Sequence, residues 1–391
     1  MNFKRTTPAL VLSLKPVAFL AVVLAASFSL PSAVHAQLLA NDLPSLREVK
    51  LPGKDFRMEK PLRVRNERAQ MVLIAGMTGD NLNILLPGNT GAEVGIDINA
   101  ENLRVLVEYP KRFSQIQDAY NRGDFNPALT ELQEQCTPLF RLLRIPPSKT
   151  NIHPLSIIYY KSLAAKGDVN LAVRATAEIP LYAESLPDEF RDAADLLLER
   201  CIDEGQIQAA EQVISILREQ YDEERFTEIA LRTADQLRSR NQFELMERIY
   251  GTLTQSTDRD IRQQAQYWAV YSYAMSGNVV AARGLLEDLP ELRQKDANFN
   301  LYCLARGRLA LAETNYIEAL RYLTRAMVLT SIENSYKPEL YYLIVKSYAE
   351  SGEELPAKML SRELNSFYPK NPWTTAVQKE YPDIFESVPS S

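Results

Sequence analysis

Few residues in this chain have types that could carry out chemistry, and the histidines show this most clearly. The 391 residues include two histidines, His35 and His153. A zinc site needs several cysteine or histidine ligands, and the sequence has no Gly-x-Ser-x-Gly elbow to accompany a triad built on His153. His153 precedes Pro154 where a helix is predicted to begin. We interpret it as a helix-entry residue and predict no catalytic residue and no metal site.

Two further patterns are typical of ligand loops but are incomplete. Asp97, Asn99 and Glu101 alternate like the oxygen ligands that begin a calcium loop, but the following glycine and the distal glutamate are missing. The Gly-Asp-Asn and Gly-Asn-Thr-Gly segments at 79–81 and 88–91 lack the Lys-Ser/Thr of a phosphate loop and do not open a helix. We interpret them as hairpin turns, and we predict no cofactor and no enzymatic activity.

The three cysteines are spaced widely and unequally on predicted helices, at Cys136, Cys201 and Cys303. An odd, sparse count does not describe a disulfide framework. Buried thiols that behave as small apolar residues are the default interpretation, while a single Cys201–Cys303 bond stays open.

Tyrosine and tryptophan are numerous in the predicted helices of the C-terminal half. Neighbours such as Tyr341 and Tyr342 cannot all face inward. Tyr, Trp and Arg are favoured at protein interfaces, so we predict that some of these residues line a binding groove. The candidate residues of this partner-binding groove are Arg262, Tyr267, Tyr271, Tyr302, Arg306, Arg308 and Tyr341.

The elements that would position these residues form a repeat. A glycine or a polar residue separates two amphipathic helical segments, and an alanine usually follows five residues later. These turn residues are Gly123, Gly167, Gly205, Asn241, Gly277, Thr314 and Gly352, at steps of 44, 38, 36, 36, 37 and 38 residues. A near-constant period in this range is typical of stacked two-helix units that present a long concave surface.

Small residues explain the spacing of the repeat. The turn residue follows the last apolar position of the first helix by four residues, where a left-handed backbone ends the helix at little cost if the residue is glycine. The alanine, as at Ala282 and Ala319, lets two helix backbones approach closely. The sequence therefore predicts antiparallel helix pairs with short connections.

In these residues the chain resembles the tetratricopeptide repeat family over about 111–375. The sixth unit has Gly307, Ala310, Tyr316, Ala319 and Ala326 at the family spacings, and the seventh has Tyr348, Gly352, Ala357 and Pro369. The ending at 367–373 is similar to that of exported bacterial repeat proteins. The period exceeds the usual 34 residues, the tryptophan of the first helix is missing, and Asn241 and Met246 replace Gly and Ala. A generic α-solenoid therefore stays open, and the resemblance implies no ligand because the family's motif residues are structural.

The N-terminus predicts export. Lys4, Arg5 and Lys15 precede an apolar run at 17–30 and the small-residue sequence Val34-His-Ala36, the pattern of a signal peptide cleaved after Ala36. The run is shorter than a membrane-spanning helix needs. The segment around the cleavage site contains no cysteine, so we do not expect a lipoprotein. The chain lacks an Asn-x-Ser/Thr sequon, which favours a bacterial periplasmic or secreted protein.

The charge argues against nucleic acid as a partner. The chain has 44 basic and 50 acidic residues, and cleavage would leave 41 and 50 because the leader contains three basic residues and no acidic one. A net charge of −9 also argues against an anionic membrane surface. The acidity is dispersed, as on solvated helix faces.

A small β module is predicted before the helices. Short apolar or alternating runs at 71–75, 82–86, 94–98 and 103–109 are separated by Gly, Asn and Pro clusters, as in hairpins. We predict a strongly bent β-barrel-like module or a β-meander that caps the first helix pair.

We therefore predict a mainly α protein. Its segments are a signal peptide (1–36), an irregular tether or packing arm (37–58), a β module (59–110), about seven tetratricopeptide-like helix pairs in an α-solenoid (111–380) and a flexible tail (381–391). The predicted function is a non-catalytic interaction scaffold or adaptor in the periplasm or cell envelope, which binds a protein or peptide along its concave face. A glycan- or peptidoglycan-binding protein is the alternative, and a homo-oligomer stays open.

Overall fold

The structure, a computed structural model, describes residues 43–85 and 92–385. The predicted signal peptide and the turn at 87–91 lie outside the described residues. The described chain is mainly helical, with a small antiparallel sheet on the N-terminal side of the helices.

The sheet is a four-stranded meander in the order β1-β2-β3-β4. Its strands are β1 (Phe56–Arg65), β2 (Met71–Thr78), β3 (Asn81–Leu85) and β4 (Glu93–Asp97). The pairings of the described residues are those of the meander that the sequence left as an alternative, because each strand pairs only with its neighbour in the chain. The predicted barrel would need a further pairing to close the sheet.

Two strand assignments differ from the prediction. β1 covers residues that were assigned to the tether and to the start of the module. This strand was not predicted because its register slips between Arg57 and Leu62, around Pro61. The slip interrupts the alternation of apolar and polar residues. Residues 103–109 form only isolated bridges, Arg65 with Leu106 and Val105 with Thr150. The prediction of a strand there was wrong, because this segment connects the sheet to the helices.

Sixteen α-helices follow among the described residues. They are α1 (Phe113–Asn121), α2 (Asn126–Glu131), α3 (Gln133–Cys136), α4 (Ile152–Lys166), α5 (Val169–Glu178), α6 (Asp188–Asp203), α7 (Ile207–Gln220), α8 (Glu223–Ser239), α9 (Phe243–Leu253), α10 (Arg259–Met275), α11 (Val279–Asp288), α12 (Phe299–Ala312), α13 (Tyr316–Leu329), α14 (Lys337–Glu350), α15 (Glu354–Phe367) and α16 (Pro372–Glu380). Two 3₁₀ segments, Thr137–Arg144 and Pro147–Lys149, connect α3 to α4.

All seven turn residues lie between two helices, which we call the first and second helix of a unit. Six of them have a positive φ, between 58° and 82°, and these include the non-glycine residues Asn241 and Thr314. At each of the six, the following N–H donates to the carbonyl oxygen five residues earlier, at 2.7–3.0 Å, which is the bond that closes a Schellman motif. Gly167 differs, with φ −78°. Lack of space favours glycine here instead, because a Cβ would lie 2.5 Å from Leu163 Cδ1.

The small residue of each second helix packs at the interior of the unit. The side chains at these positions are fully buried, including Ala282, Ala319 and the larger Met246. The predicted burial of the two alanines is confirmed. First helices of neighbouring units also pack together, as α4 does with α6 and α10 with α12.

Both ends of the described chain pack on the rest of the molecule. Residues 43–55, which we call the arm, have no regular secondary structure, but Leu46 is only 2% exposed. At the other end, Ile384 is buried and Tyr381 donates to Glu350 Oε1 at 2.7 Å. The part of the predicted tail from 381 to 385 therefore packs on the helices, and 386–391 lie outside the described residues.

Candidate binding site on the first helices

The residues predicted to line one groove are divided among several clusters. Arg262 lies near the start of α10 and donates to Ser256 O at 2.7 Å. Tyr341 packs against the ring of Tyr368, and Arg308 lies near Tyr342 and Glu380. Each of these three residues therefore has its contacts with a different set of side chains or backbone groups.

Three of the predicted residues do meet. The Tyr267 and Tyr302 rings lie edge to face with centroids 5.6 Å apart, and the Arg306 guanidinium lies 5.2 Å from the Tyr302 ring centroid. Both rings are buried, and the Tyr267 hydroxyl donates to Pro290 O at 2.7 Å. In this structure the two tyrosines therefore pack between helices instead of lining a surface.

Tyr271 belongs to a buried ionic cluster between first helices of different units. It is fully buried, and its hydroxyl donates to Glu339 Oε1. The other Glu339 oxygen accepts from the Arg238 guanidinium. Arg238 is at the end of α8 and Glu339 at the start of α14, so this pair joins the first helices of the fourth and seventh units.

The surroundings of Arg238 favour the charged form of its guanidinium. Burial acts against the charged form, but the carboxylates of Glu339 and Asp235 outweigh it and raise the pKa of the Arg238 guanidinium. The guanidinium also lies 5.2 Å from the Trp268 ring centroid, a cation–π arrangement. Arg238 therefore ties charged and aromatic residues of three units together.

A cavity of about 350 Å³ adjoins this cluster, and we call it the first-helix pocket. Trp268, Tyr250 and Tyr336 contribute its aromatic side. Its polar side is formed by residues of α8, α10 and α12 and of the loops before α12 and α14, namely Arg232, Asp235, Gln264, Asn298, Asn300, Asn334 and Ser335. Amide, carboxylate and guanidinium groups can hydrogen-bond a polar ligand or a peptide backbone.

Sequence spacing does not reveal this pocket, because its members are spread from Leu231 to Tyr336 along the chain. One signal was present. Glu339 is the only charged residue in the run Pro338–Val345, and an acid inside an apolar helix face usually has a buried partner. The position of that partner, Arg238, follows only from the way the units stack.

The three cysteines are buried. Cys136, Cys201 and Cys303 are free, buried thiols, and burial raises the pKa of Cys201 and of Cys303 to about 11. Within residues 43–85 and 92–385, no group of three or more His, Cys, Asp and Glu is placed to hold a metal ion.

No helix in the described part of the chain is long and apolar enough to cross a membrane. Comparison with protein-family models and with curated proteins finds no match for this chain.

Proposed function

We propose that this chain is an exported, non-catalytic interaction scaffold. In this proposal the helices form a solenoid of seven tetratricopeptide-like pairs, and the β-meander caps its N-terminal end. The partner is a protein or peptide of the cell envelope. The observation that carries the proposal is the sevenfold recurrence of the turn between helices together with a fully buried residue five positions later.

This recurrence favours binding over catalysis as the function. Each unit buries its apolar face against its neighbours, so residues that serve packing recur in every unit. Polar groups from several units are gathered in the first-helix pocket. We place the partner's contact there, because the tyrosines first considered for the groove are buried.

Contacts of the sheet support its role as a cap. Arg144, which follows α3, donates to Gly79 O at 2.9 Å and pairs with Asp80. Asn151, at the start of α4, accepts from the Val107 N–H at 2.8 Å. These bonds hold the meander and the segment that follows it on the first units, where a repeat stack needs its apolar end covered.

Cross-linking in intact cells, followed by purification of the chain, tests the proposal. We expect a defined protein partner to be recovered from the envelope fraction and to bind the purified chain again. N-terminal sequencing of the native protein should give Gln37 as the first residue. An intact Met1, or binding that is not reproduced with purified components, would contradict the proposal.

A glycan ligand is the second candidate, and the amide-rich lining of the first-helix pocket favours it. If a glycan is the ligand, peptidoglycan fragments would bind the purified chain. Changing Asn298 and Asn300 to Ala would abolish that binding. The strands of the meander offer less support, because Phe56, their one aromatic residue among those described, is partly buried under Arg141.

A further inference from the structure

The arm lies in extended form across the second helices of three units. Near Pro44 it contacts α9, near Arg47 it reaches Glu211 of α7, and Lys54 lies over the Tyr182 ring, which follows α5. The arm therefore runs in the direction opposite to the order of the units. An extended segment already occupies this face of the molecule.

Aliphatic side chains hold the arm. Leu46 is 2% exposed, and its N–H donates to Thr252 Oγ1 at 3.0 Å. Leu43 and Val49 are partly buried against the same core, while Pro44, Ser45, Arg47 and Glu48 are exposed. The inward residues are three apart, which is the period of a polyproline II helix, a conformation in which peptides are often recognised.

Gly251 forms a notch that the arm fills. It lies within α9, where glycine is about 1 kcal/mol less favourable than alanine. A Cβ at Gly251 would lie 2.0 Å from Pro44 O. The arm's backbone thus occupies the space that a side chain would take, which explains a glycine that the helix itself disfavours.

Glu211 provides charge recognition at the centre of this face. Its carboxylate is 14% exposed and pairs with Arg248 of α9 and, at 3.5 Å, with Arg47 of the arm. Arg47 is 76% exposed, so its contact with Glu211 is worth little in stability. A basic side chain at this position therefore has a carboxylate partner whose contact adds little to the stability of the fold.

The face is larger than the arm. Beside residues 47–49 lies a groove of about 680 Å³, and we call it the arm groove. Its apolar wall contains Val173, Ile207 and Leu245, and its rim contains Arg248 and Glu211. This open apolar volume gives a competing peptide a place to dock beside the arm before it displaces the arm.

We propose that the face under the arm, from the Gly251 notch to the arm groove, binds an extended segment of a partner protein and that the arm is the internal ligand that this segment displaces. The segment has aliphatic side chains at every third position and a basic residue directly after the second of them, as in Leu43, Leu46, Arg47 and Val49. This proposal rests on the proposed function as a scaffold, and it names a second surface and the chemistry of its ligand.

The test uses a fluorescent peptide with the sequence of residues 43–55 and the full-length protein. In the wild type the tethered arm competes at an effective concentration of the order of millimolar. Leu46→Asp in the protein should release the arm and tighten binding of the peptide at least tenfold. Gly251→Ala, added to Leu46→Asp, should abolish binding because the notch is filled. A peptide that itself carries the Leu46→Asp change is the control and should not bind.

Circular dichroism must show that each variant keeps its helical content. A folded Leu46→Asp protein that does not bind the peptide would overturn the proposal, as would undiminished binding after Gly251→Ala. A wild-type dimer that dissociates on Leu46→Asp would show that the arm passes between two copies, and this too would overturn the assignment to a partner. Failure here leaves binding at the first-helix pocket intact, so the two proposals fail separately.

Discussion

The backbone of the repeat turns predicts opposite effects for two substitutions. Gly277 has φ +80°, and a Cβ added there would meet nothing within 4 Å, so the cost of Gly277→Val comes from the backbone alone. A left-handed L-residue costs about 1–2 kcal/mol, and the loss of freedom in the unfolded chain returns about 0.4–1 kcal/mol. We therefore expect the free energy of unfolding to fall by about 1 kcal/mol.

Thr314 allows the reverse experiment. It is a β-branched residue with φ +58° at the equivalent position of the sixth unit. Thr314→Gly should relieve the same strain and raise the free energy of unfolding by about 0.5–1 kcal/mol.

Urea denaturation measures both effects, and an unchanged m-value would show that the midpoint shift reports stability. Ser276→Val is the matched control, because Ser276 is the preceding residue and has φ −77°; its effect should stay within about 0.5 kcal/mol. An unchanged midpoint for Gly277→Val, or a lower one for Thr314→Gly, would refute the reasoning from φ.

Two further predictions concern buried polar groups. Glu339→Gln leaves the buried Arg238 without its main counter-ion and should lower the free energy of unfolding by about 3–5 kcal/mol, whereas Arg238→Met with Glu339→Leu should recover most of it; urea midpoints of the single and double variants decide this. Burial lowers the pKa of His153, although its bond to Leu143 O opposes the shift. The unfolded chain therefore takes up the proton first, so stability should fall as the pH drops below about 6.5. His153→Phe should remove that part of the pH dependence. The measurement is the difference between the urea midpoints at about pH 7.5 and about pH 5.5, in the wild type and in the variant. An equal difference in both proteins would contradict the role of His153.

The repeat could be predicted because each of its signals is local. Each turn involves three positions within about ten residues of the chain. They are the turn residue, the carbonyl that accepts a hydrogen bond from the next residue's N–H, and the small residue of the second helix. Sequence spacing therefore reports their contacts. β1 could not be predicted in the same way, because the register slip near Pro61 breaks the alternation.

The residues of the candidate site depend on contacts between distant parts of the chain. Tyr267 and Tyr302 are adjacent only because first helices of neighbouring units pack together, and this packing also buries them. The pairing of Arg238 with Glu339 depends on a contact between the first helices of the fourth and seventh units, which no local pattern encodes. The same holds for Leu46, whose contact with Thr252 spans 206 residues.

Site-specific photo-cross-linking in living cells tests the central claim most directly. A photoreactive amino acid replaces Ser335, an exposed residue at the edge of the first-helix pocket, or, as a control, Val280, an exposed residue on α11 away from that pocket. The account predicts a discrete protein adduct from position 335 that position 280 does not give. No protein adduct at 335, or the same adducts from both positions, would contradict a scaffold that binds its partner through the first helices.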